Sequence, residues 1–389
     1  MVTLREPVVS ARRLAGIDLV LVFTTLVAAM LGAVMVYTAT RGTLVAEGFS
    51  PHYFVKRQLI FVVVGIATML LLAAIDYRRL ELVGMAIYGL SVFALVVVLV
   101  PHLGRSALGS ARWFSLGPFE IQPSEFAVLG LIVAVATYCS RRSEGLTWRD
   151  VGKLLAMAGV PMLLVAKQPD LGTAIVMAIV LFVMLAVAGL PVRILVMLVV
   201  GAAVLFVIAL KAGLLHSYQI SRLTSFLHQD THNATVIKNT PAIYNVVESK
   251  IAIGAGGIFG AGLGHGAATN LGYVPEQQTD FIFSAVGEQL GFVGATLVLG
   301  LLTVIAWRVL RAAQLALDPF GRLLCTGAFT FIAYSTFQNA GMAMGIMPVT
   351  GIPMPFVSYG GSAIVSSFAC VGLTLSVYRR RAARRFGYG

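Results

Sequence analysis

Apolar and polar residues alternate along this chain in long blocks. Apolar runs cover about residues 17–38, 58–75, 82–101, 124–139, 154–167, 171–190, 193–213, 281–307, 321–344 and 363–378. A helix rises about 1.5 Å per residue, so about 20 apolar residues cross the hydrocarbon core of a bilayer. Runs of this length predict an all-α integral membrane protein with about ten transmembrane helices in a single polytopic domain over residues 1–389. The fifth run is short for a span and must be tilted, buried or extended across Lys167-Gln168-Pro169-Asp170. Nine or eleven spans are the neighbouring counts. The first run is long enough to span and lacks a small-residue cleavage site, so it is expected to remain as a helix.

Composition supports the same class. The chain is 58% hydrophobic and 11% charged, against about 25% charged residues in soluble domains. Its net charge of +12 invites a nucleic-acid partner, but the basic residues fall in the segments between apolar runs. With a cytoplasmic N-terminus, 18 of the 28 Lys and Arg residues lie inside. That bias places both termini in the cytoplasm, excludes a nucleic-acid role, and leaves membrane lipids as the anionic surroundings. Cys139, Cys325 and Cys370 sit in or beside apolar runs with no CxxC spacing, and read as small hydrophobes.

Three external segments break the helical pattern. Residues about 214–280, between spans seven and eight, form one long external loop, and long loops are usually functional. Its stretch from Ile243 to Ile253 is amphipathic and is expected on the outer membrane face. Residues 102–123 and the uncharged, Gly- and Pro-rich 345–362 are the other two. Irregular backbone near membrane depth is tolerated where protein buries it or where it lines a cavity. Together they predict one outward-facing cavity, with part of the active site on the 214–280 loop. No internal repeat of the kind seen in many transporters is visible.

Charges at membrane depth are functional candidates by default. They are Glu125, Lys167, Asp170, Glu276, Asp280 and Glu288, with Arg112 and Lys250 close by. Each has a second reading. Asp170 follows Pro169 and can cap the next helix or face a polar cavity. Lys167 can pair with Asp170. Glu125 follows Pro123-Ser124 at a helix start, where an acid complements the dipole. Glu288, about two turns into the eighth span, lines a wet cavity or bridges helices. Asp280 either caps the eighth span or, with Glu276 four residues earlier, acts as a general base.

The histidines, His52, His102, His216, His228, His232 and His265, form no metal-binding spacing. Asn233-Ala234-Thr235 is a chance sequon. The Gly-rich run 254–266 has no preceding strand and no GK[ST], so it reads as close packing of a re-entrant or interfacial segment rather than a phosphate loop.

Seven motifs occur in order: Gly109-Ser110-Ala111-Arg112-Trp113, Gln122-Pro123-Ser124-Glu125, Gln168-Pro169-Asp170-Leu171-Gly172-Thr173, Tyr218-Gln219-Ile220-Ser221-Arg222-Leu223, Ser249-Lys250-Ile251-Ala252-Ile253-Gly254, Pro275-Glu276 with Thr279-Asp280-Phe281-Ile282-Phe283, and Pro355-Phe356-Val357-Ser358-Tyr359-Gly360-Gly361-Ser362. With them the chain resembles the SEDS family from its first span to its last. These are ten-span glycosyltransferases of the bacterial cytoplasmic membrane that polymerise lipid II into peptidoglycan. The run Gly351-Ile352-Pro353-Met354-Pro355 before Ser358 makes it more similar to the elongation branch, RodA, than to the division branch, FtsW.

The resemblance implies roles. The family's catalytic aspartate matches Asp280. Glu125, Trp113, Asp170, Glu276, Glu288, Ser358, Tyr359, Gly360 and Gly361 are implied to line the cavity. A lysine commonly follows the glutamate by three residues; here that position is Val128, and Lys167 is expected to supply the missing cation. Gln289 stands where many members have a second Glu. Asp280 would take a proton from the acceptor's GlcNAc 4-hydroxyl. That oxygen would attack the anomeric carbon opposite the pyrophosphate, giving inversion to a β-1,4 bond. Arg112, Arg222 and Lys250 are the cations available to the leaving pyrophosphate, with a divalent cation, Mg or Mn, as a further candidate. The implied partner is a class B penicillin-binding protein. It would dock on spans eight and nine, where Ser335, Gly341, Ala343 and Gly345 permit close approach. Competing readings are a lipid II flippase and a non-catalytic scaffold of the cell-wall machinery.

Overall fold

A computed structural model describes residues 16–100, 105–107, 110–117, 119–142, 145–213, 217–227 and 240–385. Arg5, Arg12, Arg13, His102, Gly109, His216, His228, His232 and the sequon at Asn233 lie outside them.

The first three apolar runs form α1 (Leu19–Ala46), α2 (Tyr53–Ala74) and α3 (Tyr77–Val98). Then come β1 (Arg105–Ala107), β2 (Ser110–Leu116) and β3 (Phe119–Ile121). Four helices follow: α4 (Pro123–Ser140), α5 (Trp148–Lys167), α6 (Leu171–Val187) and α7 (Val192–Lys211). The expected external loop holds α8 (Ser217–Leu227), α9 (Pro241–Gly256) and the short α10 (Ala267–Leu271). The chain ends with α11 (Ile282–Gln314), α12 (Pro319–Ala343) and α13 (Gly361–Arg385).

Each apolar run is therefore a helix. Among the described residues, seven helices are long and apolar enough to cross a membrane: α1, α2, α3, α4, α7, α11 and the Gly361–Arg380 part of α13. α6 is apolar but shorter. α4 and α13 form the centre of the bundle, most of their apolar length being covered by other helices. α7 buries no residue and is apolar all round, as a helix facing lipid should be.

Three expectations need correction. The fold is not purely α, because β1, β2 and β3 form a three-stranded antiparallel sheet. Its register sets Phe114 opposite Ile121 and Leu116 opposite Phe119. The stretch Ile243–Ile253 does not lie free on the membrane face. In α9, Ile243, Val246, Ser249 and Ala252 are buried at helical spacing against the bundle, and the Ser249 hydroxyl donates to the Ala343 carbonyl at 2.8 Å. Ser335, Gly341, Ala343 and Gly345 do not form an outward face for a partner; all four are buried within the chain. A Cβ on Gly341 would sit 2.7 Å from Met347 Cγ.

The Gly-rich run has a structural use. α11 is broken at Gly291, whose φ is 67°. The freed groups on either side of the break bond to the turn after α9: Phe292 N–H to Gly257 O (2.9 Å), Ala261 N–H to Glu288 O (2.9 Å) and Gly262 N–H to Gln289 O (3.0 Å). A Cβ on Gly260 would lie 2.2 Å from Gln289 O, so only glycine lets the two backbones meet.

At the end of the bundle remote from these loops, aspartates at helix starts pair with arginines: Asp18 with Arg308 (2.6 Å), Asp76 with Arg380 (3.2 Å), Asp150 with Arg142 (3.1 Å) and Asp318 with Arg78 (3.3 Å). Asp18 also caps α1 and is fully buried, as is most of Arg308. Breaking a buried pair by removing one partner costs about 3–5 kcal/mol. Asp18→Ala is expected to lower the detergent melting temperature accordingly, while an unchanged value would mean that water already screens the pair.

Candidate active site

The loop before α11 carries Glu276 and Asp280, and three separate segments fix its backbone. The Ser358 hydroxyl donates to Thr279 O at 2.6 Å and accepts from Met354 N–H at 2.8 Å. Tyr359 N–H donates to Gln278 O at 2.8 Å. The Asn339 amide of α12 donates to both Asp280 O and Ile352 O, each at 2.8 Å. Gln58 of α2 holds the Ser358 carbonyl at 3.1 Å. The loop's own turn closes on Glu276 O, which accepts from Thr279, Asp280 and Phe281 N–H. Glu276 and Phe356 adopt positive φ values of 51° and 65°. Such backbone is uncommon for side-chain-bearing residues and persists only where surrounding contacts enforce it.

Asp280 is not a helix cap. Phe281 holds the cap position of α11, with no side chain bonded there. The Asp280 carboxylate is half-buried and makes no hydrogen bond to a described residue. It faces Gly351, where a Cβ would stand 3.1 Å from Oδ2, so the glycine keeps the space beside the carboxylate open. Burial, then the charge of Glu276, push the Asp280 carboxyl up to about 6; Arg222 pulls it down, Asp170 raises it and Arg112 lowers it. The site thus joins one poised acid, two further carboxylates and two guanidinium groups at one end of the bundle.

The other expected residues take definite places. Arg112 on β2 donates from Nε to Gln168 O (2.5 Å) and from Nη2 to Pro169 O (2.6 Å), fixing the end of α5. Trp113, half-buried, lies opposite Arg105 in the sheet. Asp170 does cap α6, accepting from Thr173 N–H at 3.1 Å, and it also accepts from Gln122 (3.1 Å) and Ser124 (3.3 Å). Arg222 on α8 donates to Thr350 O at 3.0 Å. Glu276 and Lys250 are exposed. Tyr359 packs edge-on against Phe54, their ring centroids 4.9 Å apart. Gly360 is half-buried. Gly361 starts α13 where a Cβ would lie 2.5 Å from the Phe61 ring.

Two acids are used structurally. Glu288 is buried and accepts from Ala268 N–H (2.8 Å), Thr269 N–H (2.9 Å) and the Thr269 hydroxyl, which ties the start of α10 to α11. Gln289 beside it accepts from Gly264 N–H at 2.9 Å. Glu125 is buried on α4, with Ser366 donating to it at 3.2 Å. Lys167 does not supply its cation. Lys167 is exposed and makes no ion pair or hydrogen bond among the described residues. Val165 takes the inward face of α5, and two residues further on the helix has turned by about 200°.

Sequence reasoning missed Asn339, Gln58 and the role of Gly351 beside Asp280. A Gln338-Asn339 pair inside an apolar run was the available signal, since an amide at that depth needs partners. Among the described residues no group of three or more His, Cys, Asp or Glu gathers as a ligand set.

Comparison with known proteins gives a consistent result. Residues 18–383 match the family of FtsW, RodA and SpoVE, described as "Cell cycle protein". The probable peptidoglycan glycosyltransferase FtsW of Trichlorobacter lovleyi is 36% identical over 370 residues, which is 94% of each chain. Stage V sporulation protein E of Bacillus subtilis is 36% identical over 93% of this chain and 97% of its own. Among solved structures, a chain from work on the structural coordination of polymerization and crosslinking by a peptidoglycan synthase complex superposes with a TM-score of 0.78. It is 31% identical, over 94% of this chain and 98% of that one. A helical bundle that clamps the loop of Asp280 within electrostatic reach of two arginines, and that matches these relatives almost end to end, belongs to the SEDS family of glycosyltransferases.

Proposed function

We propose that this protein polymerises lipid II into β-1,4-linked glycan on the outer face of the bacterial cytoplasmic membrane, with Asp280 as general base. The observation that carries this reading is the Asp280 carboxylate, held by its backbone yet without a side-chain hydrogen bond to any described residue and open toward Gly351. An acceptor hydroxyl reaching it would lose its proton as its oxygen attacks the anomeric carbon of the growing chain. The pyrophosphate leaves with the bonding electrons. Arg222 and Arg112 lie close enough to perturb Asp280 and would offset that departing charge. A divalent cation travelling with the pyrophosphate would rely on phosphate oxygens, water and the exposed Glu276.

In this reading ten helices span the bilayer with both termini cytoplasmic. The aspartate–arginine end then faces the cytoplasm, as the bias of basic residues requires. A class B penicillin-binding protein is the proposed partner; a related chain is solved in a peptidoglycan synthase complex. The elongation role rests on Gly351-Ile352-Pro353-Met354-Pro355 alone, while relatives carry division and sporulation names. Complementation of strains depleted of their elongation or division member discriminates the two.

The direct test supplies labelled lipid II to the purified protein with its partner and reads glycan chains on a gel, with moenomycin present to silence class A polymerases. Polymer supports the reading. Lipid translocation without polymer would favour a flippase. A pH profile adds a second check. Because Asp280 is pushed up to about 6, the base is ionised above that pH and lost below it, so the rate should fall on acidification with a midpoint near 6. By the same sign, the neutral carboxyl favours the fold at acid pH, and that stability fades as pH rises through about 6. A rate that is flat through this range would remove Asp280 as the base.

A further inference from the structure

The turn between α9 and α10 sends large apolar side chains away from the protein. Ile258 is 63% exposed and Phe259 82%, with Ile251 before them and Leu263 after them also exposed. Residues 251–264 carry no charge. Lys250 and His265, which flank them, are both exposed.

The depth of this turn follows from its bonds to α11. Phe292 and Val293 N–H donate to Gly257 O and Ile258 O, at 2.9 and 3.1 Å. In the orientation proposed above, Trp307 marks the cytoplasmic interface. Its side chain is exposed, Arg308 beside it pairs with Asp18 at the start of α1, and exposed tryptophans of membrane spans sit at that level. From Trp307 up to Phe292 the helix is unbroken and rises about 22 Å. The hydrocarbon core is about 30 Å thick, so the turn lies about 8 Å below its outer boundary. Any tilt of α11 places it deeper. Lys250, about two turns back along α9, stands up to about 10 Å higher, where an ammonium group meets lipid phosphates.

Irregular backbone at that depth needs its polar groups satisfied by protein. Ala261 and Gly262 N–H bond to Glu288 O and Gln289 O, Gly260 N–H to Gly256 O, and Gly264 N–H to the Gln289 side chain. On the cytoplasmic side of the turn, Phe292, Val293, Thr296, Leu297 and Gly300 continue the apolar surface as an open groove.

We propose that residues 257–264 are inserted among the acyl chains of the outer leaflet, and that this anchor sets the height of the Asp280 loop above the membrane. The connection is short and braced. Glu288 holds the start of α10, and the Gln277 amide of the Asp280 loop donates to the Thr269 hydroxyl of α10 at 3.2 Å. A lipid-linked substrate, on which this second part rests, presents its reacting sugar at a fixed distance from the bilayer. A base held at a matching height meets it there.

The test places a nitroxide label on Phe259→Cys, Ile258→Cys and His265→Cys in the full chain, reconstituted in liposomes. The native Cys139, Cys325 and Cys370 are buried, which directs the label to the introduced thiol. Collisions with oxygen, which enters hydrocarbon, are compared with those of a water-soluble nickel chelate. Oxygen should exceed nickel several-fold at 258 and 259, and nickel should dominate at 265. Nickel access at 258 and 259 equal to that at 265 puts the turn in water and overturns the insertion. Labels at 258 and 259 that neither reagent reaches are covered by protein and overturn it too. These readings need no turnover, so they hold whether or not lipid II is the substrate. Phe259→Glu should then lower polymerisation in liposomes several-fold, while Phe259→Leu keeps the wild-type rate. A wild-type rate in Phe259→Glu overturns the height-setting role.

Discussion

Asp280→Asn should lower lipid II polymerisation by about 10²–10⁴-fold, the range expected when a general base is removed. The amide matches the carboxylate in size and polarity but cannot take the acceptor's proton. Stability should hold, because the side chain makes no hydrogen bond to a described residue and caps no helix. Removing a charge that burial and Glu276 disfavour should even raise the melting temperature slightly near neutral pH. The variant is therefore expected to be folded, partner-binding and inactive, with its residual rate no longer showing an acid limb near 6. A folded variant at the wild-type rate would leave Asp280 without a catalytic role and turn attention first to Glu276, its exposed neighbour on the same loop.

Asn339→Ala should be the most damaging change outside the reacting groups. One amide nitrogen serves Asp280 O and Ile352 O, and Asn339 is fully buried. Removing it takes the donor from one buried and one partly buried carbonyl, at about 1–3 kcal/mol for the buried one. The loop that carries Asp280 would then shift, and a misplacement of about 1 Å can reduce a rate about 10²-fold. The expected signature is a large fall in kcat with KM nearly unchanged, together with a lower melting temperature. Gln338→Ala is the control. Gln338 donates to Pro348 O at 2.8 Å rather than to the Asp280 loop, so its loss should lower stability while keeping kcat. Equal losses of kcat in both variants would reduce Asn339 to a general packing role.

The two halves of the fold differed in how far the sequence revealed them. Helices of the bundle announce themselves as apolar runs, because a bilayer demands unbroken hydrogen-bonded backbone and apolar side chains over a fixed thickness. The irregular external segments carry no such periodic signature. α9 looked like a helix for the membrane face and instead packs Ile243, Val246 and Ala252 into the bundle. Amphipathicity states that one face is apolar, not which apolar surface will cover it. The strand Ser110–Leu116 is too short for its alternation to stand out, and it gains a partner only when Phe119–Ile121 folds back on it.

Among the candidate site residues, charge at membrane depth marked the right list but not the roles. Asp170, Glu288 and Asp280 are alike as isolated carboxylates in sequence. Asp170 is committed to Thr173, Gln122 and Ser124, and Glu288 to the start of α10, while the Asp280 carboxylate makes no hydrogen bond to a described residue. Lys167 has the right charge but the wrong face of α5.

The sequence by itself determined the membrane environment, the helix positions, the orientation bias and the family, since each follows from local composition or from short motifs in order. Tertiary structure alone decided which acid makes no hydrogen bond to a described residue and which amide holds its backbone. Those outcomes depend on donors hundreds of residues apart meeting across helix faces, as Gln58 meets Ser358, and hydrogen bonds at that separation leave no pattern in the order of residues.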